Sequence, residues 1–187
     1  MSDRPSRTID SGAQDAAAAC MNVIRTERLV LRHLEVLDAA FILELTNEPA
    51  FLKFIGDKGV KTLDDAREYI LKGPIDSYER HGFGLYAVCL PDGTSAGICG
   101  LVKRDGLADV DVGFAFLSRY CSKGYAAESA SAVLLHARQV LRLQRVVAIA
   151  SPDNLGSIAV LRKIGLEFER MIRLAEHEPE LKLFGPA

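Results

Sequence analysis

The sequence carries almost no excess charge and lacks a long apolar run. The formal net charge is −2 over 187 residues, which gives no electrostatic reason to expect nucleic acid or an anionic membrane as a partner. Charged residues interrupt the apolar stretches well before the roughly 20 residues that a membrane-spanning helix requires. The patch Ala16–Ala19 is too short for a secretory signal and follows an acidic residue. We therefore expect a cytoplasmic protein whose partners include neither nucleic acid nor membrane.

The spacing of the cysteines does not suggest a metal site. The four cysteines show no Cys-x-x-Cys spacing and no neighbouring histidine cluster; they are Cys20, Cys89, Cys99 and Cys121. A zinc site or a disulfide framework is therefore not expected. Reduced thiols fit a protein of the cytosol.

Two familiar phosphate-binding motifs, Gly-x-Gly-x-x-Gly and the P-loop, are also missing, yet residues 114–128 suggest a phosphate site. This stretch is typical of a strand, a short basic loop and the first turn of a helix. Ser122-Lys123-Gly124 leads directly into that helix. The N-terminal end of a helix combines free backbone N–H groups with a partial positive charge. An anion is therefore expected to bind where the loop meets the helix.

The length and composition fit one domain. With 49% hydrophobic and 26% charged residues, the chain is typical of a globular protein with a sizeable core. Residues 1–24 are rich in Ser, Asp, Gly and Ala without a sustained apolar period, which predicts a mobile leader. Residues 25–187 contain neither an internal repeat nor a linker, so we expect them to form a single domain.

The apolar periodicity predicts an α+β fold. A strand near residues 29–33 precedes helices at 38–46 and from Thr62, and the second helix should kink or break at Gly73-Pro74. Residues 51–59 are expected to form an irregular lip over a pocket. Further strands are predicted at 83–90, 96–103, 108–117, 144–150, 167–173 and 180–184, with helices at 124–141 and after residue 154. The helix at 124–141 predicts one parallel crossover in a mainly antiparallel sheet.

The predicted strand at 108–117 alternates strictly between two kinds of residue. Its apolar face carries Val110, Val112, Phe114 and Phe116, and its other face carries Asp109, Asp111, Gly113 and Ala115. Small residues beside two acids indicate a face that a polar group approaches closely.

Six short motifs follow one another in the order and at the spacing of a known family. They are Thr-Glu-Arg-Leu-x-Leu-Arg from Thr26, Gly-Phe-Gly from Gly82, Ser-x-x-x-x-Lys-Gly-Tyr-Ala-x-Glu from Ser118, Arg-Val-x-Ala from Arg145, Pro-x-Asn-x-x-Ser from Pro152 and Val-Leu-x-Lys-x-Gly from Val160. Together they resemble the GNAT acyl-CoA N-acyltransferases. Within these they are similar to the RimJ/RimL-type branch, whose members acetylate ribosomal-protein N-termini and assorted amines. The resemblance spans about residues 26–170.

The resemblance implies a GNAT-type α+β fold. A twisted, mainly antiparallel sheet of about seven strands would carry a parallel pair splayed at its centre, flanked by about four helices. The implied activity is transfer of the acetyl group of acetyl-CoA to a primary amine, a protein N-terminus or a small molecule, by direct attack in a ternary complex. Acetyl-CoA would be a co-substrate, no metal is expected, and the protein would be a monomer or a homodimer. The alternatives are a non-catalytic CoA-binding sensor or interaction module, and transfer of a longer acyl group.

The resemblance also assigns the contacts to the cofactor. Gly124 lets the backbone approach the pyrophosphate closely, while Arg119 and Lys123 would supply positive charge or, alternatively, only form a solvated basic turn. Cys121 departs from the family's Gln or Arg and from the branch's usual Trp, and Ser122 replaces the branch's usual Gly. The implied cofactor-binding residues are Phe116, Leu117, Arg119, Ser122, Lys123, Gly124, Tyr125, Ala126, Asn154 and Ser157.

Two residues are implied to be catalytic. Asp111 matches the Glu of the branch's Glu-Ile-Gly-Tyr and would be the general base, acting through a water, or else a plain surface acid; Asp109 is a weaker candidate. Ser157 would hydrogen-bond to the departing sulfur, since Leu161 replaces the Tyr of many family members. Its alternative role is a hydrogen bond to the first helical turn. Asn154 matches a contact to the pantetheine amide, and its alternative role is a helix N-cap.

Overall fold

The sheet begins earlier in the chain than the sequence predicts. The computed structural model describes residues 22–187, so most of the predicted leader lies outside the described part of the chain. Strand β1 (Asn22–Arg25) pairs antiparallel with β2 (Val30–His33). The assignment of residues 22–24 to the leader is therefore wrong, and Val23 and Ile24 pack against the core. A strand of four residues is too short to show a period of its own.

Eight strands form one mixed sheet in the order β1-β2-β3-β4-β5-β6-β8-β7, where the sequence predicts about seven. The remaining strands are β3 (Leu85–Cys89), β4 (Ser95–Val102), β5 (Val110–Phe116), β6 (Val146–Ala150), β7 (Leu166–Ile172) and β8 (Leu181–Pro186). The helices are α1 (Ala39–Thr46), α2 (Pro49–Phe54), α3 (Leu63–Ile70), α4 (Asp76–His81), α5 (Tyr125–Gln139) and α6 (Leu155–Lys163). The additional strand is β1.

The parallel pair at the centre of the sheet separates after two residues. Val110 lies opposite Val146 and Asp111 opposite Val147, and within residues 22–187 the pairing of β5 with β6 does not continue beyond these positions. The other neighbouring strands pair antiparallel. The prediction of an α+β fold with a central splayed parallel pair is confirmed. We call the opening between the C-terminal halves of β5 and β6 the central gap.

The helix after Thr62 begins as predicted but does not break. The Thr62 hydroxyl accepts a hydrogen bond from the Asp65 N–H at 3.1 Å, and the Asp65 carboxylate accepts one from the Thr62 N–H at 2.8 Å, which is the expected capping box. Pro74 removes a backbone donor, and the chain accommodates it in a π-helical turn over Leu71–Ile75 that joins α3 to α4. With this segment taken as one helix, five helices flank the described sheet.

Residues 51–59 are less irregular than predicted. Pro49 occupies the first position of α2, where a missing N–H costs nothing, and Phe51 is buried. The irregular lip is therefore limited to the residues after α2.

Helices cover both faces of the sheet and form two core layers. On one face α5 and α6 pack through small and branched residues, among them Ala130, Val133, Ala137, Ile158 and Leu161. On the other face α1, α2 and α3 pack through Ile42, Leu45, Phe51, Ala66 and Ile70. The sheet that contains the central gap therefore has an apolar helical layer on each face.

Candidate active site

The connection from β5 to α5 presents a run of free backbone donors. Ser122 (φ 60°) and Gly124 (φ 85°) both adopt the left-handed conformation, and Gly124 is the N-cap of α5. Within residues 22–187 the N–H groups of residues 122–127 donate to no backbone or side-chain acceptor. The first N–H groups of any helix lack intrahelical partners, and here the loop adds more. We call residues 118–126 the phosphate loop, because this arrangement suits an anion.

The cations of the phosphate loop differ in what they contact. Arg119 forms an ion pair with Glu44 of α1, including a contact from Nη2 to Oε2 at 3.1 Å. This pairing lowers the pKa of Glu44. Lys123 lies over the ring of Tyr120 at 5.4 Å and has no carboxylate partner within residues 22–187. Arg119 therefore anchors the loop to α1, whereas Lys123 is the cation available to a ligand.

The end of β5 turns some of its backbone groups toward the central gap. The Leu117 N–H donates to the Ala96 carbonyl of β4 at 3.1 Å, and the Leu117 carbonyl accepts from the Tyr120 N–H at 2.8 Å. Successive residues of a strand point their backbone groups to opposite sides, so those of Phe116 face the gap. The predicted cofactor contact at Phe116 stays a prediction, and its backbone groups border the gap. Both backbone groups of Leu117 already hydrogen-bond within the chain, which argues against the predicted contact there.

Asp111 is deeply buried at the base of the central gap. Its side chain is 1% exposed, and Oδ1 accepts a hydrogen bond from Arg104 Nε at 2.8 Å. Burial raises the pKa of the Asp111 carboxyl, while the charge of Arg104 opposes that rise. Asp109, the weaker candidate, instead pairs with Arg145 at 3.0 Å. The idea that Asp111 is a plain surface acid is therefore wrong.

Asn154 and Ser157 lie at the start of α6, directly after β6. Asn154 Oδ1 accepts a hydrogen bond from the Ser157 N–H at 3.1 Å, so Asn154 is the N-cap of the helix. Within the described residues, its Nδ2 and the Ser157 hydroxyl make no hydrogen bond. Because β6 forms one side of the gap, these groups lie across it from the phosphate loop. The N-cap role is observed, and it leaves the amide N–H₂ of Asn154 free for a ligand.

Arg28 is a site residue to which the sequence motifs assign no role. It follows β1, yet its side chain reaches Glu128 of α5 and the carbonyl of Lys123 in the phosphate loop. These contacts join residues about 100 positions apart, and no local spacing in the sequence reveals such a contact. The Thr-Glu-Arg-Leu motif that contains Arg28 was the one available signal.

Three further features of residues 22–187 concern membrane-spanning helices, metal-binding clusters and free thiols. No helix of residues 22–187 has the length and apolarity to cross a bilayer. The same residues contain no cluster of His, Cys, Asp and Glu arranged to hold a metal ion. Cys89 and Cys99 are buried free thiols, and Cys121 is an exposed one.

A mixed sheet with a splayed central pair and a helix end suited to an anion is the architecture expected of an acyl-CoA-dependent transferase. The chain belongs to the GNAT acetyltransferase family, since residues 28–167 match the model of the acetyltransferase (GNAT) domain. It is 32% identical over 147 residues to the uncharacterized N-acetyltransferase YnaD of Bacillus subtilis strain 168, a match that covers 78% of this chain and 83% of the relative. The protein is therefore an acetyl-CoA-dependent acetyltransferase.

Solved structures show the same fold. The GNAT-family acetyltransferase from Bacillus anthracis superposes with a TM-score of 0.72 at 28% identity, covering 87% of this chain and 96% of that chain. RimL, a ribosomal L7/L12 alpha-N-protein acetyltransferase solved with coenzyme A, superposes with a TM-score of 0.73 at 18% identity, covering 86% and 94%. At that identity, RimL supports the fold alone.

Proposed function

We propose that the protein transfers the acetyl group of acetyl-CoA to a primary amine by direct attack while both substrates are bound. The observation that carries this proposal is the run of free N–H groups at residues 122–127, placed beside the central gap. The proposed cofactor contacts are Phe116, Ser122, Lys123, Gly124, Tyr125, Ala126, Asn154 and Ser157. Arg119 contributes indirectly by tying the loop to Glu44.

The two sides of the gap suit different parts of the cofactor. The pyrophosphate would accept hydrogen bonds from the phosphate loop and be neutralised by Lys123. The pantetheine arm would lie between β5 and β6, where the backbone groups of Phe116 face the gap and Asn154 Nδ2 is free to donate. This placement leaves the thioester near the point where the strands separate, next to Asp111.

The chain's own residues supply the remaining chemistry. Asp111 would accept the proton of the acceptor ammonium, through a water because its side chain is 1% exposed. The neutral amine then forms a bond to the acetyl carbon, the carbon–sulfur bond breaks, and the extra proton on the nitrogen passes to the departing thiolate, which leaves the amide and free CoA. A backbone N–H of β5 that faces the gap would stabilise the negative charge that develops on the carbonyl oxygen. The Ser157 hydroxyl would hydrogen-bond to the departing thiolate.

The acceptor is proposed to be a protein N-terminus or a small-molecule amine. The resemblance of the sequence motifs to the RimJ/RimL-type branch, whose members acetylate ribosomal-protein N-termini and assorted amines, supports both of these. We also propose a cytoplasmic location, which agrees with the free thiols of Cys89 and Cys99.

Release of free thiol from acetyl-CoA tests the proposal. The full chain is incubated with acetyl-CoA and a panel of N-terminal peptides, polyamines and aminoglycosides, and each product is examined by mass spectrometry. We expect thiol release that depends on an acceptor and yields an N-acetylated product. Tight CoA binding without release across the panel would contradict the proposal and favour a CoA-binding sensor. Faster turnover of propionyl- or succinyl-CoA would indicate a longer acyl group.

A further inference from the structure

The turn between β1 and β2 contacts the first turn of α5 through one carboxylate. Glu128 Oε1 accepts hydrogen bonds from the Thr26 hydroxyl at 2.6 Å and the Arg28 N–H at 3.1 Å. Its Oε2 accepts from Arg28 Nε at 2.8 Å and lies 2.6 Å from Nη2. Burial alone would raise the pKa of Glu128, but these hydrogen bonds lower it. The carboxylate is therefore ionised, and both of its oxygens are engaged.

The Arg28 side chain continues from Glu128 onto the phosphate loop. Its Nη1 donates to the carbonyl oxygen of Lys123 at 3.2 Å. Its guanidinium carbon lies 4.9 Å from the centroid of the Tyr125 ring. A Cβ atom placed on Gly124 would lie 3.3 Å from Arg28 Nη2. Three consecutive residues of the loop therefore surround one guanidinium group.

These contacts fix the direction of a backbone N–H. The described chain has no cis peptide bond, and a trans peptide points its C=O and N–H in opposite directions. Because the Lys123 carbonyl faces Arg28, the Gly124 N–H must face away from it. Ser122 and Gly124 on either side of Lys123 both have positive φ angles. Such backbone persists in a non-glycine residue only where surrounding contacts hold it.

We propose that Arg28 is a positioning residue for the cofactor: held by Glu128, it orients the phosphate loop so that the free N–H groups meet the pyrophosphate of acetyl-CoA. This inference rests on the proposed function, because it takes the loop to be the pyrophosphate site. A residue that only stabilised the fold would change the melting temperature and leave the affinity for CoA unchanged. A positioning residue changes that affinity.

Calorimetric titration of the full chain with CoA tests the role of Arg28. Arg28→Gln removes the charge and the fork of donors, and we expect CoA to bind about tenfold more weakly or worse. Arg28→Lys keeps the charge but cannot reach Glu128 and the Lys123 carbonyl together. We expect its affinity to stay at least about threefold below that of the wild type. In turnover assays the loss should appear in KM for acetyl-CoA, with kcat at saturation nearly unchanged.

Arg145→Gln is the matched control. Arg145 also pairs with two carboxylates, those of Asp109 and Glu169, but forms no hydrogen bond or ion pair with the phosphate loop among the described residues. We expect its CoA affinity to match the wild type. If the CoA affinity of Arg28→Gln or Arg28→Lys also matches that of the wild type, the positioning role is wrong. If Arg28→Gln does not fold, the CoA affinity of Arg28→Lys decides the question. Failure of the wild-type chain itself to bind CoA would instead contradict the proposed function.

Discussion

The variant Gly124→Ala, which adds a methyl group at the N-cap of α5, tests the role of the phosphate loop when it is compared with a control that carries similar backbone strain elsewhere. Gly124 has a φ angle of 85°, a conformation that costs roughly 1–2 kcal/mol for a residue with a Cβ atom. In a domain of this size, that cost lowers the melting temperature by about 2–8 °C. In Gly124→Ala the new Cβ would also lie 3.3 Å from Arg28 Nη2, so the contact between Arg28 and the phosphate loop must shift.

Gly165→Ala provides the matched control for this substitution. Gly165 follows α6 with a φ angle of 83°, and no atom lies within 4 Å of a Cβ placed on it. The two variants should therefore lose similar stability in thermal unfolding. We expect CoA affinity, measured by calorimetry, to fall at least about tenfold in Gly124→Ala and to stay unchanged in Gly165→Ala. Equal CoA affinity in both variants and the wild type would refute the assignment of residues 118–126 to the pyrophosphate.

Three further predictions concern the site. Asn154→Asp keeps the N-cap but loses the N–H₂ donor, so we expect an unchanged melting temperature and weaker CoA binding. Unchanged CoA binding would mean that Asn154 acts only as the N-cap of α6. Burial raises the pKa of Asp111, so the rate should fall as pH drops through a pKa above the ordinary value of an aspartate carboxyl. Asp111→Asn should abolish that acid limb and most of kcat. Arg104→Gln should move the limb to higher pH, because it removes the charge that opposes the rise in the Asp111 pKa. If both variants keep the pH profile of the wild type, the base assignment is contradicted. Cys121→Ser should leave stability within about 0.5 kcal/mol and CoA affinity unchanged, and a large loss of affinity would give the thiol a binding role.

Local signals in the sequence were sufficient to predict the elements that carry the site. The alternation along β5, the apolar stripe of α5 and the Thr62 capping box depend on residues within one or two turns of each other. The N-cap role of Asn154 is equally local, since its partner Ser157 is three positions away. Periodicity and capping chemistry therefore place these elements correctly.

The features that local sequence patterns did not predict depend on contacts between distant parts of the chain. The strand β1 exists because residues 22–25 pair with β2, and its own four residues carry no period. Arg119 is predicted as a phosphate ligand but pairs with Glu44, 75 positions earlier. Leu117 is predicted as a backbone contact, but the register with β4 commits its N–H to Ala96. Strand register and long-range ion pairs produce no local spacing pattern in the sequence, so they could not be predicted from it.

A crystal structure of the protein with CoA tests the proposed position of the cofactor most directly. The proposal predicts pyrophosphate oxygens within about 3 Å of backbone nitrogens of residues 122–127, with the pantetheine arm between β5 and β6 and its thiol end near Asp111. A pyrophosphate bound away from the phosphate loop, or a pantetheine arm outside the central gap, would contradict it.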